Sequence, residues 1–296
     1  MEDLCRRFPV VAQNVFANLD EKSLTDCKVV SKVPRDFLDN ERFFWIRIIK
    51  KNFVYQNKFF KEWKTAFSRT PIAILKQMAS AVGQICRQQC NLSISYLSPL
   101  HITARYGNFT LFGYIFDKMI EKSPKGFYEL TPLHIAAMYG HFEVCKLIID
   151  ITISNENPRD DVGMTPLHYA AQKGHLEIYK LLAGKFPNKN PASKAGDTPL
   201  HYSAYAGHLE ICKFIMDHLA DKNPDGENGI TPFHLAAKKG YLKVCRLFLQ
   251  NIHNRYPQDS NGKTPYEYAK KKGYSKVCQL IKSYHTSQEP TLKSSS

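Results

Sequence analysis

Five histidines recur along this 296-residue chain in one setting: His101, His134, His168, His201 and His234 each stand two residues after a proline. Imidazole is the commonest metal ligand and the side chain that titrates nearest neutral pH, so metal binding and acid–base catalysis are the first chemistries to weigh. Their spacing argues against both. The rings sit in the phrases Ser98-Pro99-Leu100-His101, Thr131-Pro132-Leu133-His134, Thr165-Pro166-Leu167-His168, Thr198-Pro199-Leu200-His201 and Thr231-Pro232-Phe233-His234. A sixth copy, Thr264-Pro265-Tyr266-Glu267, has Glu where the ring should be, and successive prolines are 33, 34, 33, 33 and 33 residues apart. Rings on one position of stacked helices lie about 8–10 Å apart. Two such rings cannot share a zinc ion at about 2 Å per bond.

The cysteines follow the same period. Of eight, Cys212, Cys245 and Cys278 are 33 residues apart, and Cys145 holds the same position in an earlier copy. One thiol per copy at one position reads as a small apolar side chain between helices, as in a reducing compartment. Cys86 and Cys90 are one helical turn apart, but no second pair with ligand spacing accompanies them. No Ser/His/Asp order, glycine-rich phosphate loop or paired carboxylates stand out elsewhere. The reading therefore assigns no catalytic residue, no metal and no cofactor.

A fixed period of this length means stacked small units, and the elements of each unit follow from its residues. Thr-Pro opens a helix, because the hydroxyl caps free amides and proline at the first position loses no hydrogen bond. Small residues follow at 136–137, 170–171, 203–204 and 236–237, letting neighbouring helices approach. Gly107, Gly140, Gly174, Gly207, Gly240 and Gly273 then stop the helix in each copy. A second amphipathic helix begins at once, as in Phe142–Ile148 or Leu209–Ile215, with apolar residues at steps of three and four. Between copies lies a turn-rich finger containing Gly163, Gly196, Gly229 or Gly262. Pro124, Pro158, Pro191, Pro224 and Pro257 each stand seven residues before the next Thr. The fold class is all-α, a solenoid of about six helix–turn–helix units.

This unit resembles the ankyrin repeat, over residues 96–286. The first copy is degenerate, with Ile102-Thr103-Ala104 where Ala-Ala is expected, and the last has Glu267 and Ser275 in place of His and Leu. The resemblance implies that the repeated His is a structural hydrogen-bonding residue of the turn. It also implies that a concave surface of finger tips and first helices recognises partner proteins. The two residues before each helix-stopping glycine then become target-binding candidates: Arg105, Tyr106, Met138, Tyr139, Gln172, Lys173, Tyr205, Lys238 and Lys239. They run from aromatic to basic. Tyr and Arg are favoured interface anchors, whereas lysines steer more than they fix.

Residues 1–95 lack the repeat. Phe8-Pro9, Val15-Phe16-Ala17-Asn18-Leu19-Asp20, Leu24, Val30-Ser31-Lys32 and Trp45 are similar in order to an F-box. Val11 stands where that pattern has Glu, and Pro34 where it has an internal Trp. The similarity implies a small helical F-box-like module at 1–48 that docks on a Skp-type adaptor of a cullin ubiquitin ligase. Its contacts would be Phe8, Pro9, Val15, Phe16, Leu19, Leu24 and Val30. The other reading of the same residues is a helical cap over the first repeat, which a stack needs in any case. Residues 49–95, with Phe53, Phe59, Phe60, Trp63 and Phe67 at helical steps, read as a helical linker or N-terminal cap, and 287–296 as a disordered tail.

Composition bounds the rest. With 43% hydrophobic residues the chain can bury a sizeable core. No apolar run reaches the roughly 18 residues of a membrane span. The acidic start, Met1-Glu2-Asp3, leads into no signal-like apolar core, so a cytoplasmic or nuclear protein is expected, in which the glycosylation-type triplets at Asn91 and Asn108 have no role. The net charge of +14 concentrates between Arg42 and Arg87 and at the C-terminal end. It reads either as a solvated face that aids solubility or as a surface for an acidic partner. No nucleic-acid-binding motif accompanies the charge.

Overall fold

The computed structural model of the protein describes residues 98–107, 109–118, 122–151 and 157–286, which form helices and turns with no strand among them. The F-box-like module, the linker or cap and the tail lie outside these residues. So do Phe8, Pro9, Val15, Phe16, Leu19, Leu24 and Val30. The chain divides into two compact parts, Met1–Phe127 and Tyr128–Ser296.

In the first part, the described residues form a helix pair, α1 (Pro99–Tyr106) and α2 (Phe109–Lys118). Although its sequence is degenerate, α1 keeps the repeat's start and stop. His101 Nδ1 lies 3.1 Å from the Ser98 amide nitrogen, and Gly107 ends the helix at φ 66°. Leu100, Ile102, Ala104, Phe112, Ile115 and Phe116 are buried.

The second part carries five copies of the same pair. These are α3 (Pro132–Tyr139) with α4 (Phe142–Ile151), and α5 (Pro166–Lys173) with α6 (Leu176–Lys185). Then come α7 (Pro199–Ala206) with α8 (Leu209–Asp217), α9 (Pro232–Lys239) with α10 (Leu242–Asn251), and α11 (Pro265–Lys271) with α12 (Ser275–Thr286). First helices pack on first helices and second on second, giving two layers. The first-helix layer is tight because Ala136, Ala137, Ala170, Ala171, Ala204, Ala236 and Ala237 are fully buried at the contacts. In the third copy of this part Ser203 replaces an alanine and turns its hydroxyl back to the Leu200 carbonyl, 3.1 Å away, which satisfies the buried polar atom.

The second helices bury one stripe each, for example Val144, Cys145, Ile148 and Ile149 on α4, or Val244, Cys245, Phe248 and Leu249 on α10. Cys145, Cys212 and Cys245 are buried free thiols, as their shared position predicts. Burial pushes each up to about 12, so they stay protonated and inert at neutral pH.

One boundary differs from the sequence reading. Helix α11 ends at Lys271 with Lys272 as its cap, and Gly273 lies one residue beyond at φ 76°. In earlier copies a ring from the next repeat sits on the stop glycine, whereas nothing lies within 4 Å of a Cβ built on Gly273. Among the described residues no ring of a following copy holds this turn.

Candidate functional site

In the second part, the first four first-helices are each locked at their start by the histidine three residues after their Thr. In the second copy of the second part, His168 Nδ1 lies 2.9 Å from the Thr165 amide nitrogen and 3.0 Å from its hydroxyl. An amide can only donate, so Nδ1 is the acceptor and the ring proton sits on Nε2. That Nε2–H donates forward to the Asp197 carbonyl at 3.1 Å, just before the next Thr-Pro. The other copies match: His134 reaches Met164 O at 3.2 Å, His201 reaches Ile230 O at 3.0 Å, and His234 reaches Lys263 O at 3.0 Å. Both nitrogens of these four rings are therefore engaged, which removes them from metal binding or proton transfer. Burial pulls His168 down to about 4, and it lowers His201 and His234 as well.

In the sixth repeat Glu267 replaces half of this clasp. Its Oε2 accepts from the Thr264 amide at 2.6 Å and from the Thr264 hydroxyl at 3.2 Å. A carboxylate has no proton to send forward.

A second set of rings, which the sequence reading passed over, points the other way. In four cases the residue after a stop glycine covers the preceding repeat: His175 sits over Gly140, His208 over Gly174, Tyr241 over Gly207 and Tyr274 over Gly240. His175 Nε2 lies 3.3 Å from the Met138 carbonyl and His208 Nε2 3.1 Å from the Gln172 carbonyl. The signal was present in the sequence, since His141, His175, His208, Tyr241 and Tyr274 share the period. What it lacked was any local partner.

The fingers carry a third repeated set of bonds. Asp160 Oδ1 accepts from the Val162 and Met164 amides at 3.1 and 2.8 Å, while its Oδ2 accepts from the Tyr169 hydroxyl at 2.7 Å. Asp259 repeats this with Asn261, Lys263 and Tyr268. The bond from the Tyr268 hydroxyl holds the Asp259 carboxyl below its usual range. Tyr169, Tyr202 and Tyr268 also stand edge-on against His134, His168 and His234 of the repeat before.

Adjacent fingers are joined by one backbone bond each: Asp161 N to Tyr128 O, Lys194 N to Val162 O, and Ser260 N to Asn228 O, at 2.9–3.0 Å. The remaining seam instead has the Glu227 amide donating to the Asp197 side chain at 3.3 Å. Gly226 permits it, because a Cβ there would fall 2.3 Å from Asp197 Oδ1.

The candidate target-binding residues occupy the C-terminal ends of the first helices. Arg105 and Tyr106 are half-buried on α1, in the first part of the chain. In the second part Met138, Gln172, Lys238 and Lys239 are half-buried, and Tyr139, Lys173 and Tyr205 are exposed. Lys239 Nζ lies 4.1 Å from the centroid of the Tyr205 ring, and Lys238 Nζ lies 5.9 Å from that of Tyr268. Each lysine bridges to an aromatic ring of a neighbouring repeat, as cations over ring faces do. Sequence reasoning missed Tyr128 and Val162, which are 55% and 52% exposed on the finger turns.

Among the described residues no group of three or more His, Cys, Asp or Glu could hold a metal ion, and no helix is long and apolar enough to cross a membrane. A comparison with curated proteins gives no match. A family profile described as ankyrin repeats (3 copies) matches residues 71–157, 150–226 and 218–293. The first match begins at Pro71, inside the stretch read from sequence as linker or cap. Two opposed ring ladders, a stop glycine in every copy and this match over most of the length have one explanation: the chain belongs to the ankyrin-repeat family.

Proposed function

We propose that this protein is a substrate receptor of a Skp–cullin–F-box type ubiquitin ligase, working in the cytoplasm or nucleus. Ankyrin repeats indicate a protein-binding role, and the observation that carries the target-binding half is the row of exposed side chains at the first-helix ends. Tyr139 and Tyr205 are 39% and 43% exposed, large rings carried at helix ends of a packed scaffold. Rigid aromatic anchors lose little entropy on binding. The adaptor-binding half rests on the F-box-like order of Phe8, Pro9, Val15, Phe16, Leu19, Leu24 and Val30.

In this reading the protein performs no chemistry itself. It raises the effective concentration of a target lysine beside the conjugating enzyme. The test is capture of a purified Skp-type adaptor by the full chain, with Pro9→Asp and Leu19→Asp as the broken forms. Binding that survives both changes, or no binding at all, leaves a scaffold or inhibitor protein with a helical N-terminal cap.

A further inference from the structure

The stack is electrically polarised along its length. Residues 131–230 carry nine Lys or Arg against twelve Asp or Glu, whereas residues 231–286 carry eleven against two. The switch is visible at equivalent positions of the second helices. Glu143 with Lys146, Glu177 with Lys180 and Glu210 with Lys213 give way to Lys243 with Arg246 and to Lys276 with Gln279. In the second copy of the second part the pair closes, with Lys180 Nζ 2.8 Å from Glu177 Oε1.

The two acids of the basic end offset only two of its eleven cations, and both are held by local hydrogen bonds rather than ion pairs. Asp259 is occupied by two amides and the Tyr268 hydroxyl, and Glu267 by the Thr264 clasp. Among the described residues, Lys243, Arg246, Lys271, Lys272 and Lys276 have no carboxylate within ion-pair distance.

On the first-helix side this charge has a fixed geometry. Tyr268 marks the junction of finger and first helix, since its hydroxyl reaches the finger carboxylate, and Lys238 extends to that ring. Lys239 is held over Tyr205, one repeat back, so two ammonium groups stand at set positions between the fourth and sixth repeats. Lysine is a strongly hydrated point charge without arginine's bidentate fork. Such a patch suits a run of separate carboxylates.

We propose that the first-helix face of the fifth and sixth repeats holds an acidic segment of the target protein, with Lys238 and Lys239 as the central contacts and Tyr205 of the fourth repeat as the platform under Lys239. This rests on the target-binding half of the function proposed above and is independent of the adaptor. Charge complementarity fixes the partner's sign, and the salt screening of partly exposed lysines makes it measurable.

The experiment is fluorescence anisotropy of a labelled decaglutamate peptide with the full chain at low salt. Decaglutamine and a single-stranded oligonucleotide of ten phosphates serve as comparison probes. The expected result is saturable decaglutamate binding that decaglutamine does not show. Lys238→Glu with Lys239→Glu should weaken it at least about tenfold, and the gentler Lys238→Gln with Lys239→Gln about threefold, with unchanged circular dichroism. Lys243→Glu with Arg246→Glu, on the second-helix layer, should change it less than about twofold. Equal losses from the two charge reversals would overturn the assignment to the first-helix face, and oligonucleotide binding about tenfold tighter than decaglutamate would overturn the peptide in favour of nucleic acid. Failure of adaptor capture leaves these readings unaffected, so the two proposals fail separately.

Discussion

The second to fourth repeats and the fifth share one clasp but differ in what they show to solvent. His134, His168, His201 and His234 make one clasp across that boundary without change, while the second-helix pair Glu177–Lys180 becomes Lys243–Arg246. Positions that hold the stack are fixed by geometry that recurs in each copy. Positions that face outward are free to acquire charge by region, which is how one scaffold comes to carry a polarised surface.

The comparison can be broken most severely at the clasp. His168→Ala leaves the Thr165 amide and the Asp197 carbonyl without their partner in a buried setting, and a loss of about 3–4 kcal/mol is expected in urea unfolding. Glu267→Ala, at the same position in the last repeat, removes only an exposed cap and should cost about 1 kcal/mol. Equal costs would mean that the forward bond to the next repeat contributes nothing.

Acid separates the two regions next. His168 falls from an unfolded value of 6.5 to about 4 when buried, so between those values the unfolded chain binds a proton that the folded chain refuses. Its contribution is fully present above pH 6.5 and is lost as pH falls towards 4, about 3 kcal/mol for this ring. His201 and His234 shift in the same direction, whereas the sixth repeat has no ring there to titrate. Amide exchange across that range should show protection lost first around the buried clasps. A flat pH profile would contradict their neutral state.

A smaller contrast comes from the stop glycines. Gly174→Ala puts a methyl group 2.6 Å from His208 Cε1 at φ 84°, and it should cost about 2–3 kcal/mol. Gly273→Ala has the same backbone problem but open space, so about 1 kcal/mol is expected. Thermal melts of the two variants measure the difference directly. Smallest of all, added salt should raise the exchange protection of α11 slightly by screening its lysines, with little effect on α5.

The periodic skeleton was legible in the sequence because it is written in residues that act locally. Thr, Pro and Gly set helix starts and stops within a few positions, and the shared position of Cys145, Cys212 and Cys245 announced their burial. The backward ladder was not legible, although His175 and His208 share the period. Their partners, the Met138 and Gln172 carbonyls, lie 36–37 residues away and are backbone atoms without a side-chain signature. The pairing of Lys239 with Tyr205 was hidden for a similar reason. In the sequence they belong to different ends of an aromatic-to-basic gradient, and only the pitch of the stack places one over the other.

The opposed ladders also decide how this chain can be edited. Deleting residues 165–197 would leave Met164 followed by Thr198, so His134 would keep its carbonyl. His208 would inherit the Met138 carbonyl from the excised His175. A loss of 33 residues keeps both ring ladders in register, at the cost of the Asp197 side chain that the Glu227 amide uses, whereas a loss of 30 would leave several rings facing nothing. Whole periods are thus the natural currency of insertion and deletion here, and the length of the stack can drift while its grammar stays intact.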